Sequence, residues 1–308
     1  EGLKDAAATA VWGARAANGV LLITTKRGQM GPPRFSVSQK FNFSHEPQGI
    51  PLLNGNEYVT MVQDAMWNRY VDEGFTWSRP DYKEIQYDPS YNYFKEYNQN
   101  TDWLGLITQN SFNSETNFSM SGGGEKVTYR LSAGYLTETG TTIGTSFKRL
   151  TTRFNLDYRF SDRFRVGAIF SYADGNRKNN YIANYPAQNV RLIARRKMPN
   201  MSPWRMDEDG NATDIYFIDQ DANLQSYYNP LAMVNESKGD TRNRSTRVQF
   251  NLNYYILSSL QLQADMAFDL GSNRYNAFQP ASAYGTAINS TGYNYTYETV
   301  RDEMTITS

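Results

Sequence analysis

Cysteine is absent from the 308 residues and histidine occurs once. No disulfide or thiolate metal centre can form, and one imidazole cannot supply a His-rich zinc site or a two-histidine facial triad. A surplus of either charge is missing too, since 31 Lys and Arg balance 31 Asp and Glu. Nucleic-acid affinity rests mainly on phosphate contacts, so this balance speaks against nucleic acid as a partner. No apolar run approaches the roughly 20 residues of a membrane helix. A phosphate-cradling glycine loop is lacking as well, because Gly122-Gly123-Gly124 joins two strand-like stretches and does not lead into a helix.

Catalytic groups are as scarce. His45 stands before Glu46-Pro47 and reads as a solvated strand end. The acidic pairs Glu57 with Asp64 and Asp72 with Glu73 fall on a polar helical stretch, where surface charge is the ordinary role. Asp207-Glu208-Asp209-Gly210-Asn211 resembles a calcium loop, but its glycine comes fourth and Ile218 occupies the twelfth position. A tight turn is the better reading, with a cation near Asp219 and Asp221 left open. The expectation is a non-enzyme with no catalytic residue, no metal and no cofactor.

Aromatic residues are plentiful: 23 Tyr, 16 Phe and 5 Trp. Mean hydropathy is nevertheless polar, at −0.67. That combination suits an outer-membrane barrel, and a soluble glycan-binding β protein would look alike. From residue 34 onward, apolar and polar residues alternate. Phe35, Val37, Phe41 and Phe43 share a face; so do Val127, Tyr129, Leu131, Ala133 and Tyr135; so do Phe154, Leu156, Tyr158 and Phe160. The same holds for Phe164 to Tyr172, Val248 to Ile256 and Leu260 to Leu270. These read as strands of about ten residues, the length a tilted barrel strand needs. Short turns are expected at Gly122–Glu125, Ser161-Asp162 and Ser258-Ser259, and long connections near 46–110, 139–146, 175–241 and 275–292. Alternating short and long connections is the habit of a membrane barrel with its long loops outside. The two longest are too long to be structureless, and Asn56–Val71 and Gln188–Lys197 have helical character.

Charged groups facing lipid are costly, so Arg130, Arg153, Asp157, Arg159, Arg247, Gln249, Asn251, Gln263 and Asp265 are expected to face the lumen. Leu156→Arg or Phe250→Arg should then be costly, and Asn155→Arg tolerated. Aromatic faces stack on sugar rings and peptide side chains. The candidate substrate-binding residues are therefore the loop aromatics Trp67, Trp77, Tyr91, Tyr93, Trp103, Trp204 and Tyr216.

Ahead of the strands, Leu3 to Trp12 is alanine-rich and favours a short helix. Asn18-Gly19 is a turn signal, and Val20 to Thr25 reads as a buried strand ending in Lys26-Arg27-Gly28. Leu3, Lys4, Asp5, Ala6, Ala8, Thr9, Ala10, Gly13, Arg15, Ala17, Asn18, Gly19 and the run Ile23 to Lys26 closely resemble the end of the plug domain of the SusC/RagA family of TonB-dependent outer-membrane transporters. Ala16 stands where that family usually has glycine, and Trp12 where it has Tyr or Phe. Further resemblances follow in order: Leu52-Leu53-Asn54-Gly55-Asn56-Glu57-Tyr58, Thr101-Asp102-Trp103, Asn117 to Gly123 with Glu125-Lys126, and Asn229-Pro230-Leu231-Ala232.

The resemblance implies an all-β chain: the C-terminal piece of an α/β plug over 1–28, then 29–308 as about eight strands of a transmembrane antiparallel β-barrel of about 22 strands. It also implies TonB-dependent import of a large nutrient, glycan or peptide, across the outer membrane of a Gram-negative, Bacteroidetes-like cell. The implied partners are a SusD-like surface lipoprotein, TonB acting through an N-terminal region that this chain lacks, and outer-membrane lipid. A siderophore or cobalamin receptor is the nearest alternative, and a soluble glycan-binding β protein the alternative from another class.

Overall fold

The computed structural model describes residues 2–3, 19–21, 25–47, 49–70, 80–180, 189–218, 228–257, 259–280, 283 and 295–307. A short ladder opens it: β1 (Gly2–Leu3) pairs antiparallel with β2 (Val20–Leu21). The helix expected after Leu3 and half of the expected Val20–Thr25 strand lie outside the described residues, as does Trp77.

Eight long strands form one antiparallel sheet in the order β3-β4-β5-β6-β7-β10-β11-β12. They are β3 (Gly31–Ser44), β4 (Ser111–Gly123), β5 (Val127–Thr139), β6 (Ser146–Arg159), β7 (Phe164–Asn179), β10 (Lys238–Leu257), β11 (Leu260–Gln279) and β12 (Tyr295–Thr307). β8 (Trp204–Met206) and β9 (Ala212–Tyr216) make a separate hairpin between β7 and β10. Residues directly opposite in a sheet share a face, so the register tests the alternation across the whole wall. One row runs Phe35, Met120, Leu131, Phe154, Phe170, Val248, Phe268. The row one residue over, on the opposite face, runs Ser119, Ser132, Arg153, Ser171, Arg247, Asp269. Every apolar set read from the sequence lands on one face and the polar sets on the other.

The strands are longer than expected. β10 and β11 have 20 residues each, about twice what crossing a bilayer requires. On β10 the outward apolar stretch runs only from Thr246 to Ile256. Ten steps of about 3.3 Å, tilted by about 40°, span about 25 Å, the height of a barrel's lipid-facing band. Beyond it the outward residues turn charged, as at Asp174, Arg242 and Arg244, so the sheet continues past the band on its loop side.

This extension corrects the loop boundaries. The β7–β10 excursion covers 180–237, not 175–241, and 140–145 is a six-residue turn instead of a long loop. Its tightness has a local cause: the N–H of Gly140 donates to Thr145 O, and Gly144 sits at φ +80°, a conformation that favours glycine. Turns at the opposite end are short, with the N–H of Gly124 donating to Val127 O.

The buried core is not in the wall. It lies in the two large excursions, which fold together above it. The first carries α1 (Gly55–Tyr70), a 3-10 turn (Pro80–Ile85), α2 (Phe94–Tyr97) and α3 (Trp103–Ile107); the second carries α4 (Val190–Arg196), the β8–β9 hairpin and α5 (Pro230–Glu236). Val59, Ile85, Ile107, Val190, Met198, Met201, Phe217 and Met233 pack as one cluster with at most 1% of their surface exposed. α1 and α4 match the two helical stretches expected from the sequence.

Candidate functional site

Three features could carry function: the lumen face of the wall, the strand end that crosses it, and the loop assembly at its mouth. The lumen face holds a groove of about 520 Å³ lined by Ser38, Asn117, Arg130, Arg153, Ser171 and Arg247. The segment that follows β2 lies on this face. Arg153 Nη2 donates to Thr25 Oγ1 at 3.2 Å, Asn155 Nδ2 donates to the Lys26 carbonyl at 3.1 Å, and Arg27 Nη1 reaches Asp157 Oδ1 at 2.7 Å. A Cβ on Gly28 would fall 2.5 Å from the backbone of Tyr129, so only glycine lets the chain lie this close to β5. Alternate residues of β6 thus hold three successive residues of the crossing segment. Asn155 is 4% exposed beneath it. The sequence reading expected Asn155→Arg to be tolerated; burial under Lys26 overturns that, since an arginine has no room there.

The loop assembly is organised by short polar joints. Asn54 Oδ1 accepts from the N–H of Glu57 at 3.0 Å while Glu57 Oε2 accepts from the N–H of Asn54 at 2.9 Å, a reciprocal cap that starts α1. Thr101 donates through its hydroxyl to Met201 O and through its N–H to Pro199 O, each at 2.7 Å. Asp102 caps α3 by accepting from the N–H of Gly105 at 2.9 Å, and Trp103 Nε1 donates to Met198 O at 2.9 Å. Thr101 and Trp103 therefore tie the first excursion to the second, and Asp102 between them holds the start of α3. Asn229 Oδ1 caps α5 by accepting from Leu231 and Ala232, and its amide donates to Pro203 O and Phe217 O.

The assembly is fixed to the wall at three strand ends. Arg191, on α4, pairs with Glu46 just past β3 and donates to Thr142 Oγ1 in the β5–β6 turn at 3.2 Å. The Arg191 hydrogen bond, set against desolvation, holds the Glu46 carboxyl below its ordinary value of 4.5. The N–H of Ile143 donates to Ile107 O at 3.0 Å, which seats that turn under α3.

The candidate aromatics divide. Trp103 is 2% exposed and its indole N–H is committed to Met198, so it belongs to the core instead of offering a ring face. Trp204 stacks on Tyr216 at 4.5 Å, and both are half-buried at the β8–β9 hairpin. Tyr91 and Tyr93 meet edge to face at 5.6 Å, and Tyr93 leans on Phe217 at 5.4 Å. The Arg205 guanidinium covers Tyr93 at 5.1 Å, a partner the sequence gave no reason to single out. Trp67 stands apart on α1, 47% exposed.

The 207–211 turn is the β8–β9 hairpin itself. Asp207 Oδ1 accepts from the N–H of Asn211 at 2.7 Å, and that bond keeps the Asp207 carboxyl below its usual range. Lys95 Nζ donates to the carbonyls of Asp207 and Glu208, which ties the turn to α2. Asp219 and Asp221 lie outside the described residues. Among the described residues no group of three or more His, Cys, Asp or Glu is placed to hold a metal ion.

Comparison with known proteins agrees with this geometry. No family model matches the chain. It is 27% identical over 286 residues to TonB-dependent receptor P3 of Formosa agariphila, covering 92% of this chain and 25% of that protein. It is 27% identical over 310 residues to TonB-dependent receptor SusC of Bacteroides thetaiotaomicron, covering 95% of this chain and 28% of that protein. Among solved structures, the RagAB peptide importer in its open-open state superposes with a TM-score of 0.67 at 23% identity, over 90% of this chain and 32% of that one. The chain is SusC/RagA-like. Its sheet shares the fold of part of the RagAB importer, and the relatives named are receptors and importers. The SusC/RagA-like chain spans about a quarter of the length of these curated relatives.

Proposed function

We propose that the chain builds one sector of a TonB-dependent importer that carries a large nutrient, a glycan or a peptide, across the outer membrane. In this reading residues 1–28 end the plug, 29–308 begin the barrel, and the loop assembly forms part of the outer mouth beside a SusD-like surface lipoprotein. The observation that carries the reading is the wall itself. A largely apolar face of eight strands, interrupted on β3 and β4 by Gln39, Ser114 and Thr116, backs a polar face that holds Thr25–Gly28. A soluble β protein has no use for so large an uncovered apolar face, with Phe35, Val37, Phe43 and Met304 each more than 60% exposed.

Trp67, the Trp204–Tyr216 pair, Tyr91 and Tyr93 are the rings we assign to the solute or to the lipoprotein. Sugar rings and apolar peptide side chains are the groups such faces take. The test uses the full-length parent protein, tagged and extracted from the outer membrane in mild detergent, with co-purifying proteins identified by mass spectrometry. A stoichiometric surface lipoprotein is the expected result. Release without detergent, with no such partner, would sink the reading.

A further inference from the structure

Just above the apolar band the outward face of the wall carries a basic collar that the import function does not use. The row Tyr172, Thr246, Leu270, Met304 is the last of the band on β7, β10, β11 and β12. Directly above it comes Asp174, Arg244, Ser272, Asp302, and above that Lys148, Asn176, Arg242, Arg274 on β6, β7, β10 and β11. Arg242 forks onto Asp174, with Nη2 to Oδ2 at 2.6 Å and Nε to Oδ1 at 3.0 Å. Arg244 Nε lies 3.7 Å from the same carboxylate. One acid therefore holds two guanidiniums, which leaves a net positive charge and fixes both side chains. Each remains 47% exposed. Beneath Arg244 opens a groove of about 460 Å³ whose outward lining is Tyr172, Thr246, Leu270 and Met304, with Ser272 and Asp302 at its upper edge.

A groove at the top edge of the band, with Leu270 and Met304 on its apolar side and guanidiniums above, matches one kind of ligand: an amphiphile with an acyl chain below and an anionic head above. Phosphate is the head that Arg recognises with its unused N–H groups, and basic side chains at the band edge attract anionic lipid. We propose that this groove binds a phosphorylated lipid of the outer leaflet, its acyl chain along Leu270 and Met304 and its phosphate on Arg242 and Arg244, with Lys148 and Arg274 completing the collar. Asp174 organises the site and Asp302 limits it on the β12 side. The proposal rests on the outer-membrane reading given above.

The test takes the full-length parent protein in detergent, offers a phosphorylated lipid A or its dephosphorylated counterpart in mixed micelles, and counts bound lipid by native mass spectrometry. The phosphorylated form should be retained in preference, and retention should fall by about fivefold for each basic side chain removed in Arg242→Gln with Arg244→Gln. Asp174→Asn should move retention the other way. Heat-modifiable gel migration reports whether each variant is folded. Lys148→Gln, whose residue has no partner among the described residues, provides the same test if the double variant is not. Equal retention of both lipids would overturn the site while leaving the transporter reading intact. Displacement by inorganic phosphate regardless of the acyl chain would overturn the lipid in favour of a free anion. A protein needing no detergent would overturn both readings.

Discussion

Neighbouring residues on one strand can have opposite fates, and Gln249 and Phe250 show this at the centre of the wall. Phe250 lies midway along the outward stretch of β10, between Ala168 and Met266, while Gln249 points inward between Ile169 and Ala267. A charge at Phe250 would face the hydrocarbon midplane, so Phe250→Arg should cost about 2–4 kcal/mol of folding free energy. Gln249→Arg places the same side chain on the lumen face and should cost less than about 1 kcal/mol. Urea titration of folding into lipid vesicles measures both, and equal losses would refute the assignment of faces. Position 155, one residue from Leu156, does not serve for this comparison. Its 4% exposure comes from the crossing segment and not from lipid. Period-two reading predicts which way a side chain points. It cannot predict what another segment lays over it.

At the scale of elements, the Glu46–Arg191 pair decides how the loop assembly sits on the strand ends, because α4 touches both β3 and the β5–β6 turn through Arg191. The Glu46 carboxyl is held below its ordinary value of 4.5 in the folded state. A group with a depressed folded value contributes stability above its unfolded value and loses that contribution as pH falls through the folded one. Hydrogen-exchange protection around 45–47 and 189–196, taken relative to the intrinsic exchange rate at each pH, should therefore be constant at neutral pH and fall below about 4.5. Glu46→Gln should remove most of that pH dependence; an unchanged profile would show that the pair does not fasten the element. The elements themselves were unevenly legible. Strands and both helices followed from periodicity, and the residues that resemble the family, Asn54-Gly55-Asn56-Glu57, Thr101-Asp102-Trp103, Asn229-Pro230 and Thr25–Gly28, turn out to be joints: caps, crossings and inter-loop hydrogen bonds. That explains why motif reading marked the scaffold well and the ligand surface poorly. Trp103 stood out because it belongs to a joint, and Arg205 over Tyr93 was invisible because its partner comes from another excursion.

For the molecule as a whole, the consequence is two parts stabilised by different solvents. The wall has an apolar face but hardly any interior of its own. Ala267 and Ala277 are its only apolar residues under 9% exposed among those described, so the band is satisfied by lipid. The loop assembly is an ordinary water-soluble core, with Met201, Phe217, Ile85, Ile107 and Met233 essentially inaccessible. Damage to one should therefore leave the other standing. Trp103→Ala removes a buried ring and the Met198 hydrogen bond, which should cost about 3–5 kcal/mol. That is a large share of what a small core supplies. In the full-length protein this variant should still reach the outer membrane and keep its heat-modifiable barrel, because among the described residues the Trp103 hydrogen bond and cation contact go to Met198 and Lys197 in the other excursion. Added protease should cut it quickly within 49–107 and 189–237 while strand peptides from β4 to β7 stay protected. Import should fall with the loops, since the rings proposed for the solute or the lipoprotein, Tyr91, Tyr93, Trp204 and Tyr216, are positioned by that same core. Loss of the barrel itself would mean that wall and loops fold as one cooperative unit, and the division drawn between lipid-supported wall and water-supported mouth would fail.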